Sequence, residues 1–190
     1  MRRRLCPDRS RGRGGVTGKI LAGVILITAL VAGAAMYYLQ VYHFYDEVAA
    51  TGTDDVQMVS LVSGQSEPVL YDNFTAIDAS SSPIRYRACF TTTMSTAMLT
   101  ETYEYYEAAE PLTGPDWFDC FDAEALGAEI EDGTALAFLG EKDIQYGIDR
   151  VVAVTDDGRG YVWHQINECG EVVFDGNPAP ENCPEPPNGY

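Results

Sequence analysis

Positive charge is nearly missing from most of this chain. Beyond Gln40 the 190-residue sequence carries five cations, Arg85, Arg87, Lys142, Arg150 and Arg159, against 28 carboxylates, a formal charge of −23. Such a surface repels phosphate backbones and anionic lipid head groups, which argues against nucleic acid as a partner and favours basic proteins or cations. Histidine occurs only twice, at His43 and His164. There is no Gly-x-Ser-x-Gly elbow, no phosphate-cradling glycine loop and no internal repeat. Asp156-Asp157-Gly158 lacks the further alternating oxygen ligands of a calcium loop. No catalytic residue, cofactor or metal site is assigned on these grounds.

One stretch lacks charge altogether. Ile20 to Leu39 contains no Asp, Glu, Lys, Arg or His, and twenty helical residues span roughly 30 Å, the thickness of a bilayer's hydrocarbon core. Seven of the twelve cations precede it, with Asp8 the single acid there. Basic flanks remain cytoplasmic, so the amino end is expected inside and the acidic domain outside. Tyr37, Tyr38, Tyr42, Phe44 and Tyr45 follow as an aromatic belt for the outer interface. The rival is a cleaved signal peptide, with Ile20 to Val31 as its apolar region and Ala32-Gly33-Ala34 as the cleavage tripeptide. Because the apolar run continues unbroken to Gln40, the span is expected to be retained.

The cysteines divide in the same way. Cys6 lies on the reducing side; Cys89, Cys120, Cys169 and Cys183 lie in the exported part. Four cysteines in an oxidising compartment imply two disulfides with three connectivities, of which Cys89–Cys120 with Cys169–Cys183 is favoured by sequence proximity.

Met1 to Gly15, rich in Arg and Gly, reads as disordered; were Val16 the initiator, it would not be natural protein. In domain terms, 1–18 is a basic cytoplasmic tail, 19–45 the transmembrane helix with its belt and 46–55 a linker. Residues 56–175 form an acidic domain and 176–190 a Pro-rich tail. Within the domain, Val56 to Val62, Pro68 to Ile77 and Ile84 to Thr92 read as strands. In the last of these, Arg85, Arg87 and Cys89 share one face. Ser95 to Ala109 reads as a helix presenting Glu101, Glu104 and Glu107 at spacings of three, and Asp122 to Glu131 as a second, stopped by Gly133. Ala135 to Leu139, Ile148 to Thr155 and Tyr161 to Ile166 return to strand, the last two joined by residues 156–160. Glu171 to Phe174 would add an edge strand. The architecture is α+β: an N-terminal transmembrane helix plus a small domain with a mostly antiparallel sheet of five to seven strands and two helices.

Several segments together are familiar. Gly18-Lys19-Ile20-Leu21-Ala22-Gly23-Val24-Ile25-Leu26, Ile84-Arg85-Tyr86-Arg87-Ala88-Cys89-Phe90, Trp117-Phe118-Asp119-Cys120-Phe121-Asp122 and Trp163-His164-Gln165-Ile166-Asn167 resemble the recurring segments of an uncharacterised family of short bacterial membrane-anchored proteins, a domain of unknown function. The resemblance implies a bacterial inner-membrane location with a periplasmic domain, and no activity. Some members carry a histidine kinase label, which these residues contradict. The chain has no glycine-rich nucleotide-binding segment and no room for both a dimerisation helix pair and an ATP-binding domain.

Two clusters are candidate sites. Arg85 and Arg87, two of the few cations, would suit a small anion or carboxylate, since guanidinium forks bind such groups bidentately; the alternative is pairing with the domain's own carboxylates. Glu101, Glu104 and Glu107, interleaved with tyrosines, would dock a basic envelope protein; the alternative is a solvated helix face. His164 alternates with Val162 and Ile166 and reads as a core histidine. The leading expectation is a non-enzymatic protein-binding or assembly accessory module, and the alternative a small-anion sensor or enzyme using Arg85 and Arg87.

Overall fold

The computed structural model describes residues 14–187 and divides between His43 and Phe44 into two units. Of the basic tail expected over 1–18, residues 1–13 lie outside the described residues and residues 14–18 open a helix. That helix, α1 (Gly14–Tyr38), runs on through a π-helical turn, Leu39–His43. From Gly18 to His43 it is long and apolar enough to cross a membrane by length and composition, a property that a signal sequence near an amino end shares. Tyr42 stacks on Tyr38 at 5.8 Å and meets Tyr37 edge-on at 6.4 Å, which ties the π turn to the last turn of α1.

The second unit is built around a sheet of six strands. Its elements are β1 (Asp46–Val48), β2 (Gln57–Val59), β3 (Ser66–Pro68), β4 (Asp72–Asp78), β5 (Arg87–Thr91), α2 (Thr96–Thr102), α3 (Ala123–Asp132), β6 (Ala135–Gln145), β7 (Ile148–Thr155), β8 (Arg159–Ile166) and α4 (Glu168–Phe174). The large sheet has the order β1-β4-β5-β8-β7-β6, antiparallel throughout, while β2 and β3 form a separate ribbon. The fold is therefore α+β with an antiparallel sheet and a few helices.

Strand alternation gives the sheet two buried faces. Ala88, Phe90, Val152, Val154 and Val162 point to one, where Val56 and Met58 beside and on β2 and Leu99 of α2 cover them. Cys89, Val151, Ala153, Tyr161 and Trp163 point to the other, against Leu126 and Ile130 of α3 and Phe118 and Phe121 of the preceding loop. Burying a side chain such as Leu99 or Val152 contributes roughly 1.5–3 kcal/mol. Both faces being dry explains why β7 runs through four consecutive apolar residues, Val151–Val154, instead of alternating there.

Helix α3 has an explicit start and stop. The Asp122 carboxylate accepts from the Glu124 and Ala125 N–H groups at 3.1 Å each, and Gly133 ends the helix at φ +81°.

Several expectations are corrected. The segment 46–55, expected as a short linker, is part of the folded unit: β1 pairs with Ala76–Asp78, and the Asp55 carboxylate accepts from the Thr51 and Gly52 N–H groups and the Tyr71 hydroxyl. Residues 95–109 form a helix only as far as Thr102. Beyond it the backbone is bridged between β2 and β6, Glu104 N–H donating to Val59 O and Leu139 N–H to Glu104 O. Long-range hydrogen bonding there outweighs the helix-compatible composition. Glu171–Phe174 lies in a helix, α4, not in an edge strand: the Asn167 side chain accepts from the Gly170 N–H at 3.0 Å and starts the turn. Among the described residues the domain thus has three helices, α2, α3 and α4, one more than the two expected. Finally, β6 is eleven residues long, and Pro68–Ile77 is split between β3 and β4.

Two disulfides close the domain, Cys89–Cys120 and Cys169–Cys183. By the chain-entropy account they stabilise by about 4 and about 3 kcal/mol respectively. The first joins β5 to the loop before α3, and the second ties α4 to the otherwise irregular proline segment, where Tyr146 also donates to Pro184 O at 3.1 Å.

Candidate functional site

The hairpin β7–β8 places Arg150 opposite His164. A cleft of about 340 Å³ opens beside His164, walled by Asp78 to Pro83 and by Ile144 and Gln145. A buried histidine at a cleft is the usual first suspect for acid–base chemistry, but the geometry assigns it elsewhere. Nδ1 lies 2.7 Å from Pro83 O, which can only accept, so Nδ1 carries the proton; Nε2 accepts from Arg150 Nε at 3.1 Å. Both ring nitrogens are committed, and none is left for a substrate.

Burial, reinforced by the nearby Arg150 and Arg87 charges, holds the imidazole down to about 4 despite the Pro83 carbonyl, so it is neutral at pH 7. Tyr86 stacks on the imidazole at 4.7 Å, and Arg150 lies 5.2 Å over the same tyrosine ring while reaching Glu141 at 3.7 Å. Burial pushes the Tyr86 hydroxyl up to about 12. The cluster is a polar brace across three strands.

Arg85 and Arg87 do not converge into one fork. Arg87 is 3% exposed. Its guanidinium donates to four backbone carbonyls: Nε to Leu112 at 2.6 Å, Nη1 to Ile84 at 2.8 Å and Tyr86 at 2.7 Å, and Nη2 to Thr113 at 3.3 Å. It also lies 5.5 Å over the Phe121 ring. Burial lowers it to about 10, still charged at neutral pH. Neither sequence alternative describes it, since its partners are carbonyls and not an anion or a carboxylate. Arg85 is half-buried, 5.6 Å over Tyr45, whose ring meets Trp117 edge-on at 5.9 Å. A groove of about 330 Å³ lies near that edge, between Val48–Ala50, Phe74–Ile77 and Trp117–Phe118.

The three glutamates also part company. Glu101 lies in the last turn of α2, Glu104 on the bridged segment and Glu107 in the turn beyond; all are exposed, but they share no helix face. Among the described residues no group of three His, Cys, Asp or Glu is arranged to hold a metal ion.

The Arg150–His164 pair was missed from the sequence for a countable reason. Taking 156–160 as the loop pairs Thr155 with Tyr161 and sets Arg150 against Ile166. The actual turn is shorter, so Val154 faces Gly160 and Arg150 faces His164. Gly158, at φ +83°, makes that tight turn accessible; a two-position slip keeps every side chain on its face while changing its neighbour.

Compared with known proteins, residues 56–184 match the family model described as Family of unknown function (DUF6446). No curated protein and no solved structure matches the chain.

Proposed function

The chain belongs to this family of unknown function, and we propose that it is a single-pass anchored module whose acidic domain, on the periplasmic side of a bacterial inner membrane, docks a basic envelope protein in an accessory role. The observation that carries this is how the few cations are spent. Arg87 is consumed by backbone carbonyls, Arg150 by His164, Tyr86 and Glu141, and Arg159 by Asp157, Glu129 and Tyr161. Only Glu141, Glu129 and Asp157 join ion pairs among the described residues, so most of the 28 carboxylates face solvent without a cation of their own. Such a field accelerates encounter with a cationic partner and is screened by salt. An anion-sensing role through Arg85 and Arg87 has less support, because four carbonyls already occupy the Arg87 guanidinium.

The test uses the full chain in native membranes. Affinity capture at about 0.15 M salt should bring down one partner, identifiable by mass spectrometry as basic on its exported side. Rebinding of the purified pair should fall at least tenfold by about 0.5 M. A salt-insensitive or acidic partner would overturn the reading. A reporter fused at Tyr190 that is active only in the cytosol would overturn the topology.

A further inference from the structure

The turn joining β2 to β3 breaks the usual rule for its position. Tight turns favour Gly, Asn, Asp, Ser and Pro, yet this one carries Leu61 and Val62 at its tip, 57% and 95% exposed. It is not loose. Ser60 N–H donates to Gln65 O at 2.9 Å, Gly64 N–H to Ser60 O at 2.8 Å, and the Ser63 hydroxyl to Glu67 at 2.6 Å. Gly64 takes φ +65°, which the turn requires. Leu61 N–H also donates to Thr102 O at 2.9 Å, fastening the turn to the end of α2. One turn back on that helix Met98 is exposed as well, its carbonyl accepting from the Thr102 hydroxyl. A turn braced by four hydrogen bonds that nonetheless holds two adjacent aliphatic side chains in water is a break in local consistency of the kind found at functional or strained sites.

We propose that Leu61 and Val62, on a turn fastened to the helix that exposes Met98, form a braced apolar prong that seats in an apolar pocket of a partner protein whose rim carries Lys or Arg. The rim is argued from charge: Glu101 adjoins Thr102, whose carbonyl accepts from Leu61 N–H, Glu104 N–H donates to Val59 O, and Glu67 accepts from the Ser63 hydroxyl of the turn. None of the three has an ion pair among the described residues. A second copy of the chain would bring the same carboxylates against themselves, and an anionic lipid surface is repelled by the same field. Burial of Leu61 and Val62 supplies the hold; the glutamates supply orientation. This inference rests on the docking reading above and names its contact surface.

The experiment places a photo-crosslinking residue at position 62 of the full chain in native membranes. The expected result is an adduct to one protein, mapped to an apolar segment with Lys or Arg within a few residues. Its yield should fall roughly tenfold or more in Glu101→Lys/Glu104→Lys. An adduct to a second copy, an adduct to lipid, no adduct, or a yield indifferent to the charge reversals would each overturn the proposal. Leu61→Ser/Val62→Ser separates the two readings: salt-sensitive association that persists at full strength sinks the prong and leaves the basic partner standing. Loss of that association with an unchanged melting temperature supports the prong. Absence of any salt-sensitive partner in the unsubstituted protein sinks both.

Discussion

Arg150 donates to Nε2 of His164, and this one contact turns an apparent acid–base residue into a structural acceptor. Burial keeps the imidazole neutral, with the Arg150 charge reinforcing it and the Pro83 carbonyl opposing it, while Tyr86 stacks on the ring.

Stability should follow from that arrangement. The imidazole is held at about 4 against its ordinary 6.5, so between those values the unfolded chain binds the extra proton. Its contribution is fully present above pH 6.5 and lost as pH falls through 4, on the order of 3 kcal/mol. Chemical denaturation at pH 7, 5.5 and 4.5 should show that decline. His164→Gln should be less stable at pH 7 and show a flatter slope across the same window.

Removing the Arg87 guanidinium leaves the carbonyls of Leu112, Ile84, Tyr86 and Thr113 without this donor, the bond to Tyr86 being buried and the other three half-buried. Arg87→Ala should lose on the order of 3 kcal/mol. Arg87→Lys should recover little, because one ammonium cannot reach carbonyls on both β5's approach and the 112–113 loop. Denaturation midpoints at constant slope measure both.

Gly147 and Gly170 stand backbone against backbone. A Cβ at Gly147 would lie 2.5 Å from Gly170 Cα, and Gly147 already sits at φ +75°. Gly147→Ala combines left-handed strain with overpacking and should cost about 2–4 kcal/mol. Melting should register it, with α4 detaching from the β6–β7 turn in hydrogen exchange.

The two disulfides should separate in effect. Cys169→Ser/Cys183→Ser should free the proline segment while leaving the sheet cooperative, at about 3 kcal/mol; Cys89→Ser/Cys120→Ser should loosen the loop before α3 at about 4 kcal/mol. In freshly isolated native protein none of the four sulfurs should label with a thiol reagent. Labelling of all four would contradict export to an oxidising compartment.

Neighbouring residues determined a good deal. The uncharged run to Leu39, the β-branched and aromatic runs of β7 and β8, and the Asp122 and Gly133 ends of α3 are written in consecutive positions, because strand composition and capping are local physics. What lay beyond reach was every choice made between distant segments. The 103–106 stretch gave up its helix for hydrogen bonds to β2 and β6, far along the chain. Arg87 met two of its four acceptors 25 and 26 residues away, and a shorter turn moved Arg150 from Ile166 to His164. Even the exposure of Val62 is invisible in a β-branched run that reads as strand. Those outcomes belong to the tertiary structure, because a buried donor takes whichever acceptor the packed sheet and its loops bring within hydrogen-bonding distance. No spacing along the chain records which one that will be.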